Sequence, residues 1–173
     1  MSKPVFVLCP GAWHPAEVYD KMIPHLETKG YRTVLHDWPS IQQAPVQSFD
    51  EDIQSIRATI LNEADAGNDV VVVAHSWSGS PVNSAIADLS KAERAKQGKL
   101  GGVIKLVFLC AFVVPEGVSL LDTLGGDETK VAMWNVQGDL VQVNNPTYHF
   151  FQGLPEEEQQ YWVSKLKPHS RSI

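Results

Sequence analysis

Four short apolar, largely β-branched runs punctuate the first two-thirds of the chain: Val5–Leu8, Thr33–Leu35, Val70–Ala74 and Ile104–Val114. None alternates apolar with polar residues, so each predicts a strand buried on both faces, the pattern of a parallel sheet covered by helices. Helical signals lie between them. His14-Pro15 puts proline at a first helical position, and Lys29-Gly30 supplies a basic last turn with a glycine stop. Ser48-Phe49-Asp50-Glu51 has the form of a capping box, and Phe49, Ile53, Ile56 and Ile60 follow at spacings of four, three and four. A third helix is predicted from just after Ser76 to Gln97, closed by Gly98. Strand alternating with helix implies right-handed crossovers, hence an α/β fold: a mostly parallel sheet with flanking helices over residues 1–115.

Beyond Pro115 the pattern changes. Gly125-Gly126-Asp127 is turn-like, and Val131–Val136 and Leu140–Val143 flank Gln137-Gly138-Asp139 as a hairpin. Pro155 then opens a helix with Glu156, Glu157 and Glu158 in its first turn, Lys165 and Lys167 in its last, and Pro168 as the stop. Residues 116–173 therefore read as a small insertion and tail rather than another βαβ unit.

Composition narrows the field. With 43% apolar and 20% charged residues the chain buries a core and is not disordered. Fourteen Lys and Arg against twenty Asp and Glu leave a net charge of −6, which argues against a nucleic-acid partner. The longest apolar run, around Val103–Val114, is interrupted by Lys105, so no membrane span is expected. Met1-Ser2-Lys3-Pro4 lacks the apolar stretch of a signal peptide, and a cytoplasmic location is the expectation. Cys9 and Cys110 each lie in an apolar strand-like run, so no disulfide is expected. The six histidines are too dispersed for a metal site, and no cofactor is called for.

The chemistry concentrates in Val70-Val-Val-Val-Ala74-His75-Ser76-Trp77-Ser78-Gly79. A buried strand runs directly into a serine flanked two residues away on each side by Ala74 and Ser78, and then into a helix. This is the nucleophile-elbow arrangement, with A-x-S-x-S in place of the strict G-x-S-x-G. Small flanking residues are needed because the tight turn brings them against neighbouring backbone. A second motif, Cys9-Pro10-Gly11-Ala12-Trp13-His14, ends the first strand. Acyl transfer needs two convergent backbone N–H groups for the oxyanion. Trp77 would give one and Ala12, freed by the Gly11 turn, the other.

These segments resemble the α/β-hydrolase superfamily. CPGAWHPAEVYDKMIPHLETKGYRTVLHDWPS is similar to its HGAWH opening, AHSWSG to its GHSxGG elbow, and KLVFLCAFVVPEGVSL to its next strand. WNVQGDLVQV and LPEEEQQYWVSKLKPHS look like its cap. The nearest branch is that of plant methyl esterases and hydroxynitrile lyases with their fungal relatives, which implies a secondary-metabolic role. Pro10 stands where that family usually has His. The resemblance implies a serine esterase acting on a small apolar ester through an acyl-enzyme on Ser76, with Trp13, His14 and Trp134 touching substrate. A lyase, or a shortened non-catalytic homologue, remains the alternative.

An activated serine also needs a base and an orienting acid, in the chain order Ser, acid, His. In the family both follow strands after the cap. At 173 residues the chain ends where the family leaves the cap, short of the roughly 200–250 residues of such α/β domains. Substitutes in the right order are Glu116 as acid and His149 as base; His169, near the terminus, ranks behind His149. His75 should point away from the serine. Without the strands the family adds there, Ile104–Val114 would be a long apolar edge that invites pairing, so a homo-oligomer through that edge is expected.

Overall fold

A computed structural model of the chain describes residues 3–171. Four parallel strands, β1 (Val5–Cys9), β2 (Arg32–Leu35), β3 (Asp69–His75) and β4 (Gly102–Leu109), form one sheet in the order β2-β1-β3-β4. The register places Val7 opposite Val34 on one side and Val72 on the other, so the apolar runs meet side by side. Alternate residues then serve opposite faces. Val7, Val70, Val72 and Ala74 pack with Ile56, Ile60, Val82 and Ala85, whereas Leu8, Val71 and Val73 pack with Tyr19, Met22 and Ile23. In the central strands β1 and β3, continuous rather than alternating hydrophobicity is the consequence of this double burial; β2 and β4, at the sheet's margins, are half-buried or exposed over much of their length.

Helices α1 (Ile23–Glu27), α2 (Phe49–Asp65), α3 (Gly79–Ala85) and α4 (Lys91–Lys96) connect the strands. Two expected helices are shorter than the sequence pattern predicts. The first is divided into a 3₁₀ turn at Ala16–Tyr19 and α1, because Pro24 lacks the N–H that would continue the earlier turn. The third is divided between α3 and α4, where Asp88 turns left-handed at φ 63° and Ser90 caps α4 by accepting the Glu93 N–H at 3.2 Å. The fourth strand also stops early. It ends at Leu109 rather than Val114, since Cys110 turns left-handed (φ 45°) and Phe112 donates its N–H to the Ser76 carbonyl at 2.9 Å.

The rest of the chain holds α5 (Leu120–Thr123), β5 (Trp134–Gln137), β6 (Leu140–Val143), α6 (Pro146–Phe150), α7 (Glu156–Lys165) and β7 (His169–Ser170). β5 and β6 form the expected hairpin, turned at Gly138 with φ 61°, and β7 joins β6 antiparallel. This second sheet is fastened to the first half of the chain. Trp13 Nε1 donates to the Val141 carbonyl at 2.8 Å, Lys167 N–H to the Trp13 carbonyl at 3.0 Å, and Ser170 N–H to the Ser40 carbonyl at 2.9 Å. Among the described residues no helix is long and apolar enough to cross a membrane.

Candidate active site

Ser76 follows β3 in the left-handed region at φ 56°, where a non-glycine residue is uncommon and costs about 1–2 kcal/mol. A 3₁₀ turn at Ser76–Ser78 leads into α3. Three contacts hold this strained turn. Ser78 Oγ accepts the His75 N–H at 2.8 Å and shares its own proton between the His75 carbonyl at 2.8 Å and the Cys9 carbonyl at 3.1 Å. The hydroxyl thus does work that glycine in the strict motif could not: it fastens the elbow to the end of β1. A side chain at Gly79 would place Cβ 2.1 Å from the Phe112 carbonyl oxygen, so this position admits only glycine. Gly11 is less crowded but still tight, since a Cβ there would lie 3.0 Å from Ser76 Cβ and 3.2 Å from His75 Nδ1.

The loop after β1 is also strained, with Trp13 at φ 65°. His14 braces it. Its backbone N–H reaches the Gly11 carbonyl at 3.3 Å, and its Nδ1 lies 2.8 Å from the Ala12 carbonyl oxygen, which fixes Nδ1 as the protonated nitrogen. Burial lowers the His14 pKa, so the ring is neutral at pH 7. It packs edge-on against Phe150 at 4.8 Å and Phe151 at 5.7 Å.

Ser76 opens into a cavity of about 410 Å³. Ala12, Trp13, Ser76, Trp77 and Trp134 all line it, brought together from two strand ends and the hairpin. Leu120, Leu121 and Leu124 from α5 and its flank, with Met133, Val141 and Phe150, make the remaining wall mostly apolar. Glu128 and Arg171, which pair with each other (Nε to Oε2 2.9 Å), supply its charge.

The other residues singled out in the sequence lie elsewhere. His14 faces its own loop and the α6 aromatics rather than the cavity wall. Glu116 is exposed on the loop after β4. His149 is exposed on α6 beside Tyr148, with ring centroids 5.2 Å apart. Neither is part of the lining. The histidine that does line the cavity is His169, on β7, 6% exposed and edge-on to Trp77 at 4.5 Å. Its Nδ1 lies 3.0 Å from the Ser170 carbonyl oxygen, and burial pushes its pKa down to about 4. The signal the sequence offers for it is chain order, since it follows Ser76 and Glu116; the pairing with β6 that carries it to the site is not local. Among the described residues no histidine is hydrogen-bonded to a carboxylate, and no cluster is arranged to hold a metal ion.

A parallel sheet with a left-handed serine at a strand end, a glycine-bearing loop beside it and an apolar cavity under a cap-like segment define a protein of the α/β-hydrolase fold. The chain belongs to the alpha/beta hydrolase family, whose sequence profile matches residues 6–172. Alpha/beta hydrolase nvfD of Aspergillus novofumigatus is 36% identical over 125 residues, 72% of this chain and 49% of that protein. This chain therefore spans about half the length of that relative. Among solved structures, tomato methylketone synthase I complexed with 2-tridecanone superimposes with TM-score 0.76 at 14% identity, over 100% of this chain and 70% of that one. The methylesterase MES16 of Arabidopsis does so with TM-score 0.71 at 17% identity, over 99% and 68%. At these identities the structures establish the shared fold.

Proposed function

We propose that the chain carries the nucleophile and oxyanion side of a serine carboxylic ester hydrolase acting on a small apolar ester. The observation that supports this best is the strained left-handed Ser76 at the mouth of β3, facing an apolar cavity it shares with Ala12 and Trp77. Strain of this kind persists where surrounding structure holds it for a purpose. In the reaction, Ser76 Oγ loses its proton and bonds to the ester carbonyl carbon, the carbon–alkoxide bond breaks, and the alkoxide leaves as alcohol carrying that proton. Water then attacks the acyl-enzyme, releasing acid and restoring the hydroxyl. The N–H groups of Ala12 and Trp77 receive the oxyanion in both steps. No cofactor enters this chemistry. The two cysteines, Cys9 buried and Cys110 exposed, are unpaired, which fits a reducing, cytoplasmic setting.

A second reading, a cavity-bearing homologue without turnover, draws on the absence of a histidine–carboxylate hydrogen bond among the described residues. One experiment separates the two. A fluorophosphonate probe should label the purified chain, and Ser76→Ala should abolish labelling while leaving the circular dichroism spectrum unchanged. A folded wild-type chain that stays unlabelled would overturn the hydrolase reading in favour of the second.

A further inference from the structure

Trp13 borders two cavities. One is the cavity of about 410 Å³ that holds Ser76. The other, of about 290 Å³, has Gln43, Gln142, Val143, Leu166, Lys167 and Pro168 in its wall beside Trp13. The boundary between them falls at one place along two segments. On β6, Val141 lines the first cavity and Gln142 and Val143 the second. On the chain entering β7, His169 lines the first and Leu166, Lys167 and Pro168 the second. The pairing of β6 with β7 places Leu140 opposite Ser170 and Val141 opposite His169. Just past it Trp13 is bonded to both sides of the seam. Its Nε1 donates to the Val141 carbonyl at 2.8 Å, and its own carbonyl accepts the Lys167 N–H at 3.0 Å. The indole is buried and packs, tilted, against Phe150 at 5.8 Å and His169 at 6.1 Å, both of which line the Ser76 cavity.

We infer that Trp13 determines which esters the site accepts: its indole is the partition against which one apolar arm of the substrate ends, and the recess behind it is room that a longer arm does not reach. The inference rests on the ester-hydrolase reading for the carbonyl, and on the two cavities alone for the limit on length. An apolar arm gains affinity with each methylene taken out of water, and the gain stops where the indole stands. The two sides of the partition differ in chemistry. The Ser76 cavity is mostly apolar, whereas Gln43, Gln142 and Lys167 in the wall of the outer recess are all exposed to solvent. Trp13 directly follows Ala12, whose N–H belongs to the proposed oxyanion site, so the arm that meets the indole is the short one. The hydrogen bonds at both ends of the residue keep the partition in place: freeing it would leave the Val141 carbonyl and the Lys167 N–H without their partners.

Calorimetric titration of Ser76→Ala reads the limit without turnover. Methyl alkanoates from acetate to decanoate lengthen one arm of the ester, and alkyl acetates from methyl to decyl lengthen the other. In at least one series the affinity should climb by roughly 2–4-fold per methylene and then level off. Trp13→Gly removes the indole and suits the left-handed backbone at φ 65°. In that background the same series should climb for about three carbons or more beyond the limit, since an indole covers the area of several methylenes. Trp13→Phe, which keeps a ring, should move the limit by less. Gln43→Trp, a change at an exposed residue of the recess, should bring the limit back in the Trp13→Gly background and leave it in place in Ser76→Ala alone. Affinity that climbs to the longest ester of both series in Ser76→Ala overturns the proposal and needs no Trp13 variant to be folded. Absence of binding by every ester does so too. A limit at the same length in a folded Trp13→Gly or Trp13→Phe chain, or one that Gln43→Trp fails to restore, overturns it as well. Failure of the wild-type chain to react with the phosphonate would sink the hydrolase reading alone, since the limit is read in the absence of Ser76.

Discussion

Asp52 stands in the first turn of α2 with none of its surface exposed, where Oδ1 accepts the Ser40 N–H at 3.1 Å and Oδ2 finds no partner. Burial raises its pKa from the ordinary 3.8 to about 6, against the opposing pull of the Ser40 N–H. A carboxyl whose folded pKa lies above its unfolded value favours the protonated fold. Its contribution is therefore fullest below about pH 4 and is lost as pH rises through about 6. The loss is on the order of 1–3 kcal/mol, since each pKa unit is worth about 1.4 kcal/mol and the positive end of α2 recovers part of it. Asp52→Asn keeps an oxygen for the Ser40 N–H and removes the titration. Urea unfolding should find the variant and wild type of similar stability near pH 4, and the variant more stable by that amount near pH 8. A stability difference that does not change between these two pH values would contradict the assignment.

At the scale of elements, local signals and distant contacts divide the labour. Ser48 caps α2 as its sequence announces: Ser48 Oγ accepts the Asp50 N–H at 3.1 Å and Glu51 Oε1 accepts the Ser48 N–H at 3.3 Å. Ser48→Ala should cost about 1 kcal/mol in urea unfolding, with phosphonate labelling of Ser76 unchanged because the cap lies outside the cavity wall. The sheet strands, the elbow and the hairpin were likewise legible, each being a contiguous pattern of apolar runs and turn residues. The break between α3 and α4 was legible in part. Ser90-x-x-Glu93 is itself a helix start, hidden within a span whose apolar spacing suits one long helix. The end of β4 was not, because nothing apolar changes at Cys110; the chain turns there to bond Ser76, thirty-odd positions earlier in sequence. His169 ranked behind His149 in the sequence for the same reason. Two residues make a strand only because β6 and the segment at Ile41 receive them.

At the scale of the whole molecule, the order β2-β1-β3-β4 leaves β4 with a strand on one side only among the described residues. Its surface is unusual for an edge. Ile104 is 46% exposed, Phe108 38% and Leu109 46%, and Lys105 is the one charge along its length. Native edge strands are ordinarily short, charged, bulged or covered, because free N–H and C=O groups beside apolar side chains template the addition of another strand. The one irregularity in the β3–β4 register, between Val70 and Val71, lies near the start of β4 and leaves the stretch from Lys105 to Leu109 regular. A second copy related by a two-fold axis would present its own β4 antiparallel to the first, pairing these groups and removing Ile104, Phe108 and Leu109 from water. Isologous pairing of this kind closes on itself and gives a dimer rather than a filament. Light scattering on the purified chain should therefore show dimer growing with concentration through the micromolar range. Phe108→Lys places a charge in that seam and should raise the apparent dissociation constant by about tenfold or more, while labelling of Ser76 stays at the wild-type level. A chain that elutes as a sharp monomer at about 100 µM, with cooperative unfolding, would show that the β4 edge is tolerated without a partner and would refute the pairing.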